Sequence, residues 1–169
     1  MRIITTGDSL FSSRNLRNRI DQRIVQDFDG ADGVFSNAEF VTPKPTTPPA
    51  IGRGYTTAVR QDTLDEFVNL NIRLLSFAHN HAGDYGWEGM VDTMEAAHAR
   101  KLMPLGLGMN MNEARLPKFL DTPSGRLGIV TVDVTRSEVF AADDAGGRDP
   151  DGGSTPCRAV PRTPSGCRL

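Results

Sequence analysis

His79-Asn80-His81 sets two imidazoles around an amide, and Asp84 follows three positions after the second ring. Two of the chain's three histidines therefore fall in one turn, directly after the apolar run Ile72-Arg73-Leu74-Leu75-Ser76-Phe77. Imidazole nitrogens with oxygen donors beside them suit a divalent metal and the water it activates. The competing reading is a polar strand-to-helix turn that is simply rich in histidine.

The elements around this turn put more chemistry beside it. Ile3–Thr6 reads as a first strand stopped by Gly7-Asp8-Ser9, and Gly33–Ser36 as a second leading into Asn37-Ala38-Glu39. Ile72–Phe77 is a third strand, and Met103–Leu105 a fourth that leaves through Gly106-Leu107-Gly108. In an open α/β sheet the C-terminal strand ends border one crevice where ligands bind. Asp8, Glu39, Asn80 and His81 are thus expected around one point, a donor set suited to Mn²⁺, Mg²⁺, Fe²⁺ or Zn²⁺. Gly106 and Gly108 would allow backbone to approach a bound group closely. Taken singly, Asp8 also reads as a turn or cap residue and Glu39 as a solvated loop end.

Between the strands, Leu16, Ile20, Ile24 and Phe28 recur every four residues, the stripe of an amphipathic helix. Pro43, Pro45, Pro48 and Pro49 mark residues 42–50 as a long exposed loop. Asp62 or Thr63 is positioned to cap a helix burying Leu64, Phe67, Val68 and Asn71. A further helix is expected from Trp87 to Lys101 on Met90, Val91, Met94 and Ala97, with His98 a packed or half-exposed helix residue. Glu113-Ala114-Arg115 forms one helical turn, and Pro123-Ser124-Gly125 joins a hairpin. Strands alternating with helices indicate an α/β layered sheet, with antiparallel character at one end from the hairpin.

Composition narrows the function. The chain has 169 residues, 38% apolar and 24% charged, at a net charge of −2. That length suits one domain with a real core. The charge argues against nucleic acid and against an anionic membrane surface, which both need a basic face. No apolar stretch approaches the roughly 20 residues that span a bilayer, and Met1–Gly7 lacks the regions of a secretory signal, so a cytoplasmic location is expected. Cys157 and Cys167 fall outside the expected elements and form neither a disulfide framework nor a zinc-ligand spacing.

Gly7-Asp8, Asn37-x-Glu39, Ser76-x-Ala78-x-Asn80-His81-Ala82-x-Asp84-x-Gly86, and Gly106-x-Gly108 with Glu113-Ala114-Arg115 together resemble the CapA-like poly-γ-glutamate capsule synthesis family. The resemblance covers about residues 1–140 and is most specific in Asn80–Gly86, followed by Glu88-Gly89. It implies a metallophosphoesterase-like layered sandwich, a β core flanked by helices, with metal at the sheet rim. Asp8, Glu39 and Asn80 would be metal-side groups, His81 the catalytic acid or base, and His79 an additional ligand or a core residue. Asn37, Asp84, Gly106 and Gly108 would support them. The substrate would be an anionic polymer or a phosphoester, cleaved at a phosphoryl or acyl centre. The family usually carries Asn where this chain has His79, and such sites draw further histidines from a second half, whereas none follows His98 here.

Residues 1–142 are read as the N-terminal portion of this domain. Residues 143–169, rich in Gly, Pro, Arg, Ser and Thr, are read as an irregular tail, disordered or out of frame, which would make the chain a truncated member. Three functions follow as expectations: a metal-dependent hydrolase-like domain of capsule polymer metabolism, a non-catalytic accessory that binds the polymer, or an inactive fragment.

Overall fold

The computed structural model describes residues 1–51, 54–134 and 157–158. Strands β1 (Ile3–Ser9), β2 (Gly33–Ala38), β3 (Leu74–Ser76) and β4 (Met103–Leu105) form one parallel sheet in the order β1-β2-β3-β4. Ile3 pairs with Gly33, Phe35 with Leu74, and Leu74 with Met103. Parallel neighbours need crossovers, supplied by α1 (Gln22–Asp29), α2 (Leu64–Asn69) and α3 (Gly86–Ala99). All three residues of β3 are buried, as a strand with parallel neighbours on both sides requires. The fold is therefore the α/β layered arrangement expected, a sheet flanked by helices.

Aromatic packing ties the helices to the sheet. Phe67 of α2 stacks on Phe11 at 5.0 Å and lies 5.8 Å from Phe40, which meets Phe77 edge-on at 6.3 Å. Phe40, Phe67 and Phe77 are fully buried, so residues flanking Glu39 and the histidine turn are part of the core itself.

The first helix departs from the expected stripe. Leu16–Asn18 is a 3₁₀ turn, and α1 starts anew at Asp21, whose side chain accepts from the Arg23 N–H at 2.8 Å. The restart shifts the buried face to Val25 and Phe28 and leaves Ile24 45% exposed. Buried Glu66 of α2 accepts from the Asn15 and Leu16 N–H groups at 3.0 and 2.9 Å, capping the 3₁₀ turn from across the fold. Neither Asp62 nor Thr63 caps α2 through its side chain; a 3₁₀ turn over Gln61–Thr63 leads into it instead. Leu70 is buried where Val68 was expected to be fully so, and Asn71 takes a left-handed conformation (φ 60°) that ends the helix.

Helix α3 also buries two polar residues that apolar periodicity passes over, Asp92 and Thr93. They anchor the proline-rich segment: Thr42 N–H donates to Thr93 Oγ1 at 2.9 Å, while Lys44 N–H and Thr47 Oγ1 donate to Asp92 Oδ2 at 2.9 and 2.6 Å. His98 is exposed near the end of α3.

Past β4, the chain forms β5 (Leu107–Gly108), the short helix α4 (Met111–Ala114) and the hairpin β6 (Lys118–Thr122) and β7 (Gly125–Ile129). The hairpin is a separate two-stranded sheet rather than an extension of the parallel one. It packs on the start of β2, where a Cβ at Gly33 would lie 2.6 Å from Leu120 Cδ2. β8 (Cys157–Arg158) pairs antiparallel with β5, so the backbone of Cys157 does belong to an element, contrary to expectation. The remainder of the tail assigned to residues 143–169, including Cys167, lies outside the described residues.

Candidate functional site

A bulge brings Asp8 to the rim. Thr5 pairs with Phe35 and Asp8 with Asn37, so β1 carries one more residue than β2 across that interval. The strand consequently continues through Gly7 to Ser9 instead of stopping at Gly7, and Asp8 is a strand residue rather than a turn residue. Paired positions on neighbouring strands project to the same side, and Asn37 Nδ2 donates to Asp8 Oδ1 at 2.8 Å. The same nitrogen donates to Glu39 Oε2. One amide thus spans two carboxylates contributed by different strand ends.

Glu39 sits between a buried Ala38 and a buried Phe40, and burial pushes its carboxyl pKa upward. The Asn37 hydrogen bond opposes that shift, the Asp8 charge adds to it, His81 opposes it, and the Asp133 charge adds to it again. These interactions place Asp8, Glu39, His81 and Asp133 in one electrostatic neighbourhood. Asp133 is 2% exposed and was not singled out in the sequence. Its signal was an aspartate within the strand-like run Ile129-Val130-Thr131-Val132-Asp133-Val134.

The sign of the Glu39 shift gives a stability prediction. A carboxyl whose folded pKa is raised contributes stability below its unfolded pKa and loses it as pH rises through the folded value. Glu39→Gln is therefore expected to raise the unfolding temperature relative to wild type at pH 7 and to leave it unchanged at pH 3. Thermal unfolding at the two pH values checks this.

The histidine turn is built by local backbone bonds, Ala82 N–H to His79 O at 3.1 Å and Asp84 N–H to His81 O at 3.0 Å. That turn folds Asp84 back on His81, setting Oδ2 2.8 Å from Nδ1. Asp84 is fully buried, and the same oxygen accepts from the Thr57 N–H at 2.7 Å. With Asp84 as the acceptor of that contact, Nδ1 is the donor and Nε2 is the nitrogen left to exchange a proton. The His81 side chain is 19% exposed, partly open to solvent.

The other expected residues are placed differently. His79 is 4% exposed, with its ring 6.3 Å from that of Phe77, within the core. Asn80 lies half-buried between the two histidines. The space beside Gly106 and Gly108 is occupied by the chain itself. A Cβ at Gly106 would meet Ala78 Cβ at 2.5 Å and Thr131 Oγ1 at 2.7 Å, and one at Gly108 would meet the Ala114 nitrogen at 2.4 Å. Gly106 thus packs between the residue before the histidine turn and the segment carrying Asp133, while Gly108 packs against α4.

Tyr55 also went unnoticed in the sequence. It is 70% exposed, and its ring stands nearly perpendicular to that of His81, at 80° and 5.8 Å.

The donors match a hard divalent ion in kind: carboxylates of Asp8 and Glu39, with the Asn37 amide between them. A cation there would relieve the repulsion that raises the Glu39 pKa. Among the described residues, however, no three His, Cys, Asp or Glu side chains already converge with metal-binding spacing. Asn37 bonds one oxygen of each carboxylate, Asp8 Oδ1 and Glu39 Oε2.

Fold and rim together describe an α/β layered domain with carboxylates and an imidazole at the C-terminal end of a parallel sheet. The sequence model of the family described as bacterial capsule synthesis protein PGA_cap matches residues 2–161. The chain belongs to that bacterial capsule synthesis family. The match reaches beyond the motifs of the first 140 residues. No curated protein matches the chain. No helix among the described residues is long and apolar enough to cross a membrane.

Proposed function

We propose that the chain is a hydrolase-like domain acting on a capsule polymer such as poly-γ-glutamate, with His81 transferring the proton at the scissile bond. The observation that carries this reading is the His81 Nδ1 to Asp84 Oδ2 contact of 2.8 Å, with a fully buried carboxylate behind a partly exposed imidazole. Burial makes Asp84 a fixed acceptor that orients the ring and balances the imidazolium formed during proton transfer. Asp8 and Glu39, with the amide groups of Asn37 and Asn80, would hold a divalent ion of the Mn, Mg, Fe or Zn group. Such an ion supplies Lewis-acid polarisation and a more acidic water when bound. The chain's own groups orient the polymer, hold the proton at Nδ1 and exchange one at Nε2.

Calorimetric titration with Mn²⁺ and Zn²⁺, paired with turnover of a chromogenic phosphodiester and a γ-glutamyl anilide, tests the reading. Asp8→Ala is expected to lose metal binding, and His81→Ala to lower turnover by about 10²–10⁴-fold. Wild-type protein that binds no metal and cleaves neither substrate sinks it.

A non-catalytic accessory role is the second reading, favoured by the lack of three converging ligands among the described residues. It requires polymer binding that survives His81→Ala in a protein without turnover.

A further inference from the structure

The geometry points to Tyr55 as a substrate-contacting residue that selects a planar acyl group, an amide of the polymer chain, over a tetrahedral phosphoester. This rests on the hydrolase reading and names the bond which that site takes.

The tyrosine is held at the site by the residue that holds the histidine. Asp84 Oδ2 accepts from the Thr57 N–H at 2.7 Å and from Thr57 Oγ1 at 3.4 Å, and the Asp84 carbonyl accepts from the Ala50 N–H at 2.9 Å. Thr57 is 5% exposed, and its carbonyl accepts from Val41 N–H at 3.0 Å, two residues beyond Glu39. The chain around Tyr55 is thus tied to Asp84 on both sides, while the phenol two residues before Thr57 projects 70% into solvent. A lone exposed aromatic needs no explanation. An exposed aromatic pinned by the histidine's own carboxylate partner, with its ring against that histidine, does.

The exposed phenol face supplies the selectivity, with its ring 5.8 Å from the imidazole and at 80° to it. A planar amide can lie flat against that face beside His81, whereas a tetrahedral phosphoryl centre has no flat face to stack. The step balances without a further reactant. Water adds to the carbonyl carbon as His81 takes one of its protons at Nε2, the C–N bond breaks, and that proton passes to the leaving nitrogen. The products are one carboxylic acid and one amine.

The test uses the full chain as wild type, Tyr55→Ala, Tyr55→Phe and His81→Ala. An oligo-γ-glutamate and dimethyl phosphate are titrated in turn while the aromatic proton signals of Tyr55 and His81 are followed by NMR. Turnover of the oligomer is measured in parallel. The oligomer is expected to shift both sets of signals in wild type. Its affinity should weaken at least about fivefold in Tyr55→Ala and stay within about twofold in Tyr55→Phe, which keeps the ring face. Dimethyl phosphate should bind all of the Tyr55 variants equally. Unchanged oligomer affinity in Tyr55→Ala overturns the inference, as does a wild-type protein that does not bind the oligomer. A Tyr55→Phe variant as weak as Tyr55→Ala overturns stacking as its basis. Oligomer binding that depends on the Tyr55 ring without any turnover leaves the contact standing and removes the hydrolase reading instead.

Discussion

Asp84→Ala is expected, on the proposed hydrolase reading, to lower turnover by about 10²–10⁴-fold, the range associated with a positioned proton-transfer group. It should also destabilise the fold by about 1–3 kcal/mol, because the Thr57 N–H would lose its acceptor in a buried place. Both effects come from one oxygen, since Oδ2 receives the His81 ring at 2.8 Å and the Thr57 backbone at 2.7 Å. Asp84→Asn separates them. Its amide oxygen can stand where Oδ2 stands and still accept from both donors, so the ring orientation survives and the negative charge is lost. A charge-assisted hydrogen bond exceeds a neutral one by roughly 1–2 kcal/mol, which converts to about a tenfold loss of kcat. Kinetics and thermal unfolding on both variants check the pair. If asparagine is as damaging as alanine, charge is the whole of the effect and orientation contributes nothing.

Gly106→Ala is expected to be strongly destabilising. Gly106 has a φ of +80°, which an L side chain adopts at about 1–3 kcal/mol. Its Cβ would stand 2.5 Å from Ala78 Cβ, 2.7 Å from Thr131 Oγ1 and 3.1 Å from the Ala78 nitrogen. Two of these three contacts are to the residue just before His79, and the third is two residues before Asp133. Overpacking of this kind adds about 1–3 kcal/mol, for a total of about 2–6 kcal/mol. The backbone must part to admit the methyl group, so the histidine turn and the Asp133 segment should separate. Chemical denaturation measures the stability. A stability within 0.5 kcal/mol of wild type, about the scatter of a neutral surface change, refutes the close packing.

Much of the sheet was legible because its evidence is local. Ile3–Thr6, Gly33–Ser36 and Leu74–Ser76 are short apolar runs bounded by polar residues or glycine, and all three lie in parallel strands. Asp8, Glu39, Asn80 and His81 were expected at one rim because parallel strands deliver their C-terminal ends there, and the structure adds Asn37, which bridges Asp8 and Glu39. Local patterns misled where a distant partner decided the outcome. The fourfold spacing of Leu16, Ile20, Ile24 and Phe28 looked like one helix. Asp21 restarts that helix in a new phase, and Glu66, some fifty residues away, caps the turn before it. Asp92 lies outside the apolar spacing of α3, yet it is buried because the segment at Lys44 and Thr47 closes over it.

The sequence by itself determined the α/β class, the family and the rim on which the acidic and imidazole groups lie. It did so because strand periodicity, turn residues and motif spacing are properties of neighbours in the chain. Tertiary structure alone decided that Asp84 holds His81, that Asp133 adds its charge to Glu39, and that Tyr55 stands across the imidazole. Even the Asp84–His81 pair, three residues apart, depends on Thr57 from another segment to fix its carboxylate. Hydrogen bonds and like-charge repulsion act through a few ångströms of space, and only the folded chain sets those distances.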